Sequence, residues 1–383
     1  MAAVISLINH RNISTLIHMK LFNPDTLHIF HSGNQEDRQD LEDLKEFMSL
    51  SYPEVRLFAH RVDMYDCERL GKVTRSILKR DPDLMFDLSN GNPVAAMLLR
   101  QIAANLKLKV FVFSERDDRA ALIKNGNCSE VDLQSVDLEI ADFIKSGGGD
   151  VFSSSTSVYE SPEIEKLLMW QIQNYSTWTR ISKLLRSRNI IQGSGNGSQD
   201  HVVGIDLRGL SAGEKKLMIE FVYFLHESRI AKMRKRGKEG FSLDFRKPGF
   251  KQLLMVYGSW LEAITYHALK HLQLMDDLRS GVVFYWDERI RKVANEIDVM
   301  AVYRGRLVAV SCKDTSKYNE KDLNELLVAA NGLGGENSIK ILVSTHWPDK
   351  SLVRERAREI GIHLVRFDGD LSSFLQQLKK IFD

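Results

Sequence analysis

Cysteine is scarce in this chain: Cys67, Cys128 and Cys312 are the three thiols among 383 residues, with no Cys-x-x-Cys and no Cys/His zinc spacing. That excludes a disulfide scaffold and a structural zinc, and it points to a reducing compartment. A long apolar run is missing as well. The opening Met1-Ala2-Ala3-Val4-Ile5-Ser6-Leu7-Ile8-Asn9-His10 has no basic n-region and is too short for a signal peptide or a membrane span, so a cytoplasmic protein with no membrane contact is expected. Charge of one sign is also absent: the net charge is +2, and any affinity for a polyanion must come from a local patch. Neither G-x-G-x-x-G, a Walker A loop, H-E-x-x-H nor a Ser/His/Asp arrangement occurs, which disfavours a dinucleotide cofactor. His267 and His271, one turn apart, read as a helix face rather than as zinc ligands.

What is present is an ordinary folded composition, 43% hydrophobic and 27% charged, in a length that allows two or three domains. Up to about residue 150 short apolar runs alternate with helical segments: strands at 3–8, 26–30, 55–60, 84–87 and 109–113, helices at 14–20, 39–49, 68–79 and 93–106. This alternation predicts a parallel sheet covered on both faces, a Rossmann-like α/β domain. Ligands of such sheets bind beyond the carboxyl ends of the strands, and three of those ends are polar. They are Asn9-His10-Arg11-Asn12-Ile13-Ser14, His31-Ser32-Gly33-Asn34 and Asp87-Leu88-Ser89-Asn90-Gly91-Asn92-Pro93. Small polar residues with glycine let a backbone approach a phosphate, and Pro93 at a helix start aims an N-terminus at the same place. The same residues also serve as ordinary turn and cap residues.

The Gly/Ser-rich stretch 146–157 reads as a linker that ends the first domain. Beyond it, amphipathic helices at 162–175 and 179–187, a loose hairpin from Ile190 to Ile205 and a helix at 212–227 suggest a winged-helix-like module over 158–240, a spacer and dimer contact or a DNA reader. Between Arg229 and Lys251 cations cluster, with Phe241, Phe245 and Phe250 among them. This is either a solvated connector or a track for a phosphate backbone on whose aromatics unpaired bases stack.

Near the C-terminus two β-branched runs, Asn295–Tyr303 and Arg306–Lys313, meet at Arg304-Gly305 and predict a hairpin. With Tyr303 facing Arg306, counting back sets Asp298 opposite Ser311 and Glu296 opposite Lys313, all on one sheet face. Two carboxylates and an ammonium among apolar neighbours suit a divalent cation, which takes hard oxygen ligands, beside a lysine that holds water or steadies charge on phosphorus. Around the hairpin the order is a helix at 257–269 carrying Glu262, a strand at 282–286, the hairpin, a helix at 322–330, a strand at 339–344 and a helix at 352–360.

This order resembles the PD-(D/E)xK, restriction-endonuclease-like nuclease core over 241–383. Asp298 and Lys313 occupy two places of its motif, and Ser311 stands where an acidic ligand is the rule. The resemblance implies a metal set drawn from Asp298, Glu296, Glu262 and Glu325, with the Cys312 carbonyl, holding Mn²⁺ or Mg²⁺. A Rossmann-like domain, a middle module and such a nuclease together resemble the CARF-domain nucleases of type III CRISPR systems. That implies a CARF sensor over 1–150 that binds a cyclic oligoadenylate, the tetramer for preference, through Asn9, Asn12, Ser14, Ser32, Ser89, Asn90, Gly91 and Asn92. Many members carry a Thr-Lys where this chain has Asn92-Pro93, so backbone amides would do more of the work here. The resemblance further implies a homodimer cleaving DNA and RNA, single strands above all, with low sequence specificity. Two rival readings remain: a nucleotide-responsive DNA-binding regulator whose core Ser311 has inactivated, and a DNA repair nuclease that needs no effector.

Overall fold

The alternation seen in the first 114 residues is built as an open sheet in a computed structural model, which describes residues 2–9, 13–114, 119–133, 136–187, 190–193, 201–286 and 294–383. The elements are β1 (Ala2–Leu7), α1 (Ile13–Phe22), β2 (Thr26–His31), α2 (Gln35–Ser51), β3 (Arg56–Arg61), α3 (Cys67–Arg80), β4 (Asp83–Asp87), α4 (Pro93–Leu106) and β5 (Lys109–Ser114). These five strands are parallel in the order β3-β2-β1-β4-β5. Because the chain first winds outward and then crosses back, the order reverses between β1 and β4, which is where such sheets open a crevice. Helix boundaries follow local chemistry: Asp66 caps α3, and Asn92 accepts from the amides of Val94 and Ala95 ahead of Pro93. An antiparallel hairpin, β6 (Arg119–Lys124) and β7 (Asn127–Val131), extends the sheet. Its two-residue turn is Asn125-Gly126, both at positive φ, the geometry that matches strand twist.

The stretch 146–157 is not a free linker. After α5 (Ile140–Ser146), β8 (Asp150–Ser153) joins the C-terminal sheet as its edge strand, and α6 (Thr156–Tyr159) follows. Glycine is used here for close approach: a Cβ on Gly149 would lie 2.4 Å from the Tyr285 carbonyl. The middle module comprises α7 (Pro162–Gln173), α8 (Tyr175–Leu185), β9 (Ile191–Gly193), β10 (Val202–Asp206), α9 (Ala212–Glu227), β11 (Ala231–Lys235) and β12 (Gly240–Phe245). Its antiparallel sheet has the order β11-β12-β10-β9, so a division at 240/241 would cut through β12. Here the expected aromatic stacking track is overturned. Phe241, Phe245 and Phe250 are 6%, 2% and 1% exposed and pack in the core, the first two because residues two apart on β12 share its inner face and Phe250 from the buried side of the helix at Pro248–Met255.

The C-terminal unit runs α10 (Pro248–Met255), α11 (Ser259–Leu272), β13 (Asp277–Tyr285), β14 (Ala294–Tyr303), β15 (Arg306–Lys313), α12 (Glu320–Gly334), β16 (Ile339–Ser344), α13 (Ser351–Glu359), β17 (Ile362–Arg366) and α14 (Leu371–Phe382). Its sheet order is β17-β16-β15-β14-β13-β8, antiparallel from β8 to β15 and parallel from β15 to β17. Two hydrophobic cores cross the expected domain boundaries. One joins Trp178 and Phe221 of the middle module to Trp260, Val310 and Phe367; another joins Leu16, Leu44 and Phe111 of the first sheet, through Phe143 and Ile144, to Met300, Leu307 and Leu326. A third, with Ile5, Phe86 and Leu99, belongs to the first unit alone.

Candidate active site

The hairpin register is the one the sequence predicts. Tyr303 pairs with Arg306 and the ladder continues to Val299 opposite Val310. There the strands fork. The amide of Cys312 donates to Asp298 Oδ2 at 2.6 Å, and the Ser311 hydroxyl, at 3.3 Å, donates to the same oxygen. Ser311, which departs from the acidic pattern, therefore orients Asp298. Among the described residues Asp298 Oδ1 has no hydrogen-bond donor. The inference that strict alternation fixes the face needs a correction. Ile297 and Met300, three residues apart, belong to the same core, so alternation slips at Asp298–Val299, beside Gly281 at φ 52 on β13.

The second carboxylate comes from α11. Glu262 sits half-buried in its first turns and its carboxyl is pushed up to about 8, first by burial and then by the charges of Asp298 and Glu296, against the Tyr159 hydrogen bond and Lys313. Burial raises Asp298 as well. Glu296 lies at the exposed rim; burial and then Asp298 push it up. Glu262, Asp298, Glu296 and Lys313 are thus brought together, from two elements besides β15.

Glu296 makes no ion pair with Lys313 among the described residues; Lys313 Nζ instead lies 3.3 Å from Asp322 Oδ1. Glu325, one turn on from Asp322, is turned to solvent, 3.6 Å from Lys321. The helical carboxylate that reaches the site is Asp322, whose other oxygen accepts from the Asn319 amide in a capping box. Asn319-x-x-Asp322 is readable as a capping signature, and it was missed. Also missed was Asp314, one residue past Lys313. It accepts from Trp260 Nε1 at 3.0 Å and Thr345 Oγ1 at 2.9 Å, pairs with Arg186 of α8 at 2.7 Å, and takes the Tyr257 hydroxyl on its carbonyl. Arg186 in turn covers the Tyr257 ring at 4.1 Å. The backbone that presents Lys313 is thereby tied to three elements.

The chemistry of the donor set suits a small hard cation. Among the described residues no three His, Cys, Asp or Glu side chains form a ready cage. Two buried carboxylates and a nearby carbonyl, with water filling the rest, are nonetheless what Mg²⁺ ordinarily takes. Like charges that burial forces together would be relieved by such an ion.

At the first sheet's crevice the polar residues divide into two sets. Asn12 lies outside the described residues, and Asn9 makes no hydrogen bond among them. Ser14 is buried and accepts from Asn90 Nδ2 at 2.7 Å, and Ser89 donates to Asp87 while accepting from the Phe113 amide at 2.8 Å, so these three hold the loops. Gly91 at φ 90 is required: a Cβ there would be 2.4 Å from Leu7 Cβ. Ser32, whose hydroxyl donates to Asp37 Oδ2 at 2.7 Å, and Asn92 face an open cleft of about 670 Å³, together with Asn34, Arg61, Asp63, Tyr65 and Arg69. The two arginines were not anticipated; they stand at the end of β3 and on α3, away from the loop where a Thr-Lys was sought.

The comparisons agree with this geometry. Residues 251–382 match the family described as the Card1-like endonuclease domain, while no curated protein matches the sequence. Three solved structures share the fold. Can2 from Sulfobacillus thermosulfidooxidans, in complex with cyclic tetra-adenylate, has a TM-score of 0.71 at 14% identity, covering 100% of both chains. Protein VC1899 from Vibrio cholerae has 0.75 at 17% identity, covering 100% of this chain and 98% of its own. A type III CRISPR defence DNA nuclease activated by cyclic oligoadenylate has 0.57 at 15% identity, covering 98% of this chain and 51% of that one, so the present chain spans about half its length. Residues 251–382 thus match the Card1-like endonuclease domain, and the mixed α/β chain as a whole shares its fold with Can2.

Proposed function

We propose that this protein is a nuclease of type III CRISPR defence, activated by a cyclic oligoadenylate and dependent on Mn²⁺ or Mg²⁺, which cleaves single-stranded DNA and RNA with low sequence specificity. The observation that carries the reading is the convergence of Asp298, Glu262 and Lys313 at the fork of the β14–β15 hairpin, inside a Card1-like endonuclease domain. Asp298 Oδ1 and Glu262, with the Cys312 carbonyl and Glu296 at the rim, would hold the cation. The ion supplies a polarised phosphoryl oxygen and a more acidic water. Lys313, kept in place by Asp322, orients the attacking water and offsets charge on the phosphate. Asp314 and Arg186 hold the backbone beneath it.

For the sensor, support comes from the cleft lined by Arg61, Arg69, Asn34 and Asn92 beside a single lining carboxylate, Asp63, where two guanidiniums can take phosphates, and from cyclic tetra-adenylate in Can2. A two-fold ring suits a homodimer in which each subunit offers the same loops. The inactive-regulator reading drew on Ser311, and the Glu262 carboxyl beside Asp298 weighs against it. The effector-independent reading is disfavoured by the arginine cleft.

The test is cleavage of labelled single-stranded DNA and RNA by the full chain with Mn²⁺, with and without cyclic tetraadenylate. Activity that needs both additions, and that Asp298→Ala or Lys313→Ala lowers by about 10²–10³-fold, supports the reading. Tight sequence-specific binding without cleavage, or cleavage indifferent to the ring, overturns it.

A further inference from the structure

The stretch between sensor and middle module crosses the nuclease sheet on its way. β8 sets Asp150 beside Tyr285 and Val151 beside Phe284. The Ser155 amide then donates to the Ser280 carbonyl at 2.8 Å, and the Ser280 amide donates to Thr156 Oγ1 at 3.1 Å. Next to them, a Cβ on Gly281 would lie 2.6 Å from Ser155 Oγ. The flanking pairs, Ser280 with Val299 and Val282 with Ile297, put that glycine across from Asp298. α6 follows and drives Tyr159, 4% exposed, onto α11.

There the phenol oxygen lies 3.3 Å from Glu262 Oε2 and 3.4 Å from the Ser259 carbonyl. It has one proton to give, and once a cation holds Glu262 ionised the carboxylate is the stronger acceptor. Among the described residues Glu262 Oε1 has no hydrogen-bond partner. Further bonds join the end of α6 to α11. His267 Nε2 lies 2.9 Å from the Tyr159 carbonyl, and Glu160 accepts from Tyr266 at 2.8 Å and Lys270 at 2.5 Å. Upstream, α5 holds the same stretch to both units: Asp142 pairs with Lys20 of α1 at 3.0 Å, and the Ile140 amide donates to Asp277 of β13 at 3.0 Å. An unbroken series of bonds and packed side chains therefore runs from α1 to one carboxylate of the fork.

We propose that Tyr159 is a positioning residue which fixes Glu262 for the cation, and that the segment 150–160 makes this placement respond to the sensor. The inference rests on the nuclease reading above. Its test uses the full chain and two variants, Tyr159→Phe and the control Tyr266→Phe, which removes a bond from the same pair of helices but touches no carboxylate of the fork. Mn²⁺ uptake is measured by calorimetry without nucleic acid, and cleavage with and without cyclic tetraadenylate. Tyr159→Phe is expected to weaken Mn²⁺ about tenfold, the scale of one hydrogen bond to a charged group, to lower kcat with little change in KM, and to shrink the acceleration by the ring. Tyr266→Phe should leave all three unchanged. Wild-type Mn²⁺ affinity and acceleration in Tyr159→Phe, or equal losses in Tyr266→Phe, overturn the proposal alone. A wild type that takes up no Mn²⁺ overturns the nuclease reading, and this inference with it.

Discussion

Both α/β units gather polar groups where their strands end, yet the two gatherings carry opposite charge. At the first sheet's cleft Arg61 and Arg69 make no ion pair among the described residues; Asp63 lines the same cleft, Asp37 is taken up by Ser32, and Asp87 at the end of β4 is buried, bonded to Ser89 and pushed up to about 6 by burial. At the nuclease fork Glu262, Asp298 and Glu296 crowd together, and Lys313, the cation that faces them, is itself shared with Asp322. The architecture is similar; what differs is which side chains are left over once the loops have been capped. One end leaves guanidiniums over and the other leaves carboxylates, which is the contrast that the proposed phosphate sensor and metal-assisted hydrolase call for.

The comparison breaks most visibly at the fork. Glu262→Gln should lower cleavage by about 10²-fold or more, whereas Glu325→Gln, altering a solvent-facing carboxylate, should change it less than about twofold; equal effects in a cleavage assay would return Glu325 to the site. Asp87 sharpens the contrast through pH. Its folded value, raised from 3.8 to about 6, gives a contribution to stability that is complete below 3.8 and lost as pH rises through 6. Asp87→Asn lacks that loss and should gain about 3 kcal/mol relative to wild type between pH 4 and pH 7 in urea titrations. A gap that stays constant with pH would show the carboxyl ionising freely in the folded protein. At the cleft, Arg61→Ala should weaken cyclic tetraadenylate about tenfold, read by calorimetry, with a shallower salt dependence, and leave Mn²⁺ uptake untouched. The smallest effect is expected from the exposed basic strand: Lys232→Ala with Arg234→Ala should shift the KM for nucleic acid by less than about threefold, measured at two salt concentrations.

Most of the first unit was legible because apolar runs alternating with helical periods leave few arrangements; the helix at 93–106 is the one built. The register of the hairpin was legible for the same reason, through Arg304-Gly305. Misreadings had local causes. Phe241, Phe245 and Phe250 looked like a stacking track because cations surround them, although the spacing of Phe241, Leu243 and Phe245 already described one face of a strand. Gly148 and Gly149 looked like slack, whereas Gly149 lets the chain close on Tyr285 of β13 and Gly148 packs at positive φ against Asp43 of α2. Asn125-Gly126 announced a hairpin that was passed over. Tyr159 and Arg186 were invisible for a deeper reason: their partners lie 103 and 128 residues away, and no short-range pattern reports such a meeting.

The way α5 and β8 straddle two sheets bears on how the molecule can be divided. A fragment ending at residue 150 would leave Ile140, Phe143 and Ile144 uncovered, and one starting at residue 241 would carry a raw edge along β13 and half of a severed β12. Neither piece should be soluble alone, so the intact polypeptide should melt in a single cooperative step, and a protease nick near Gly148 should leave both halves clasped.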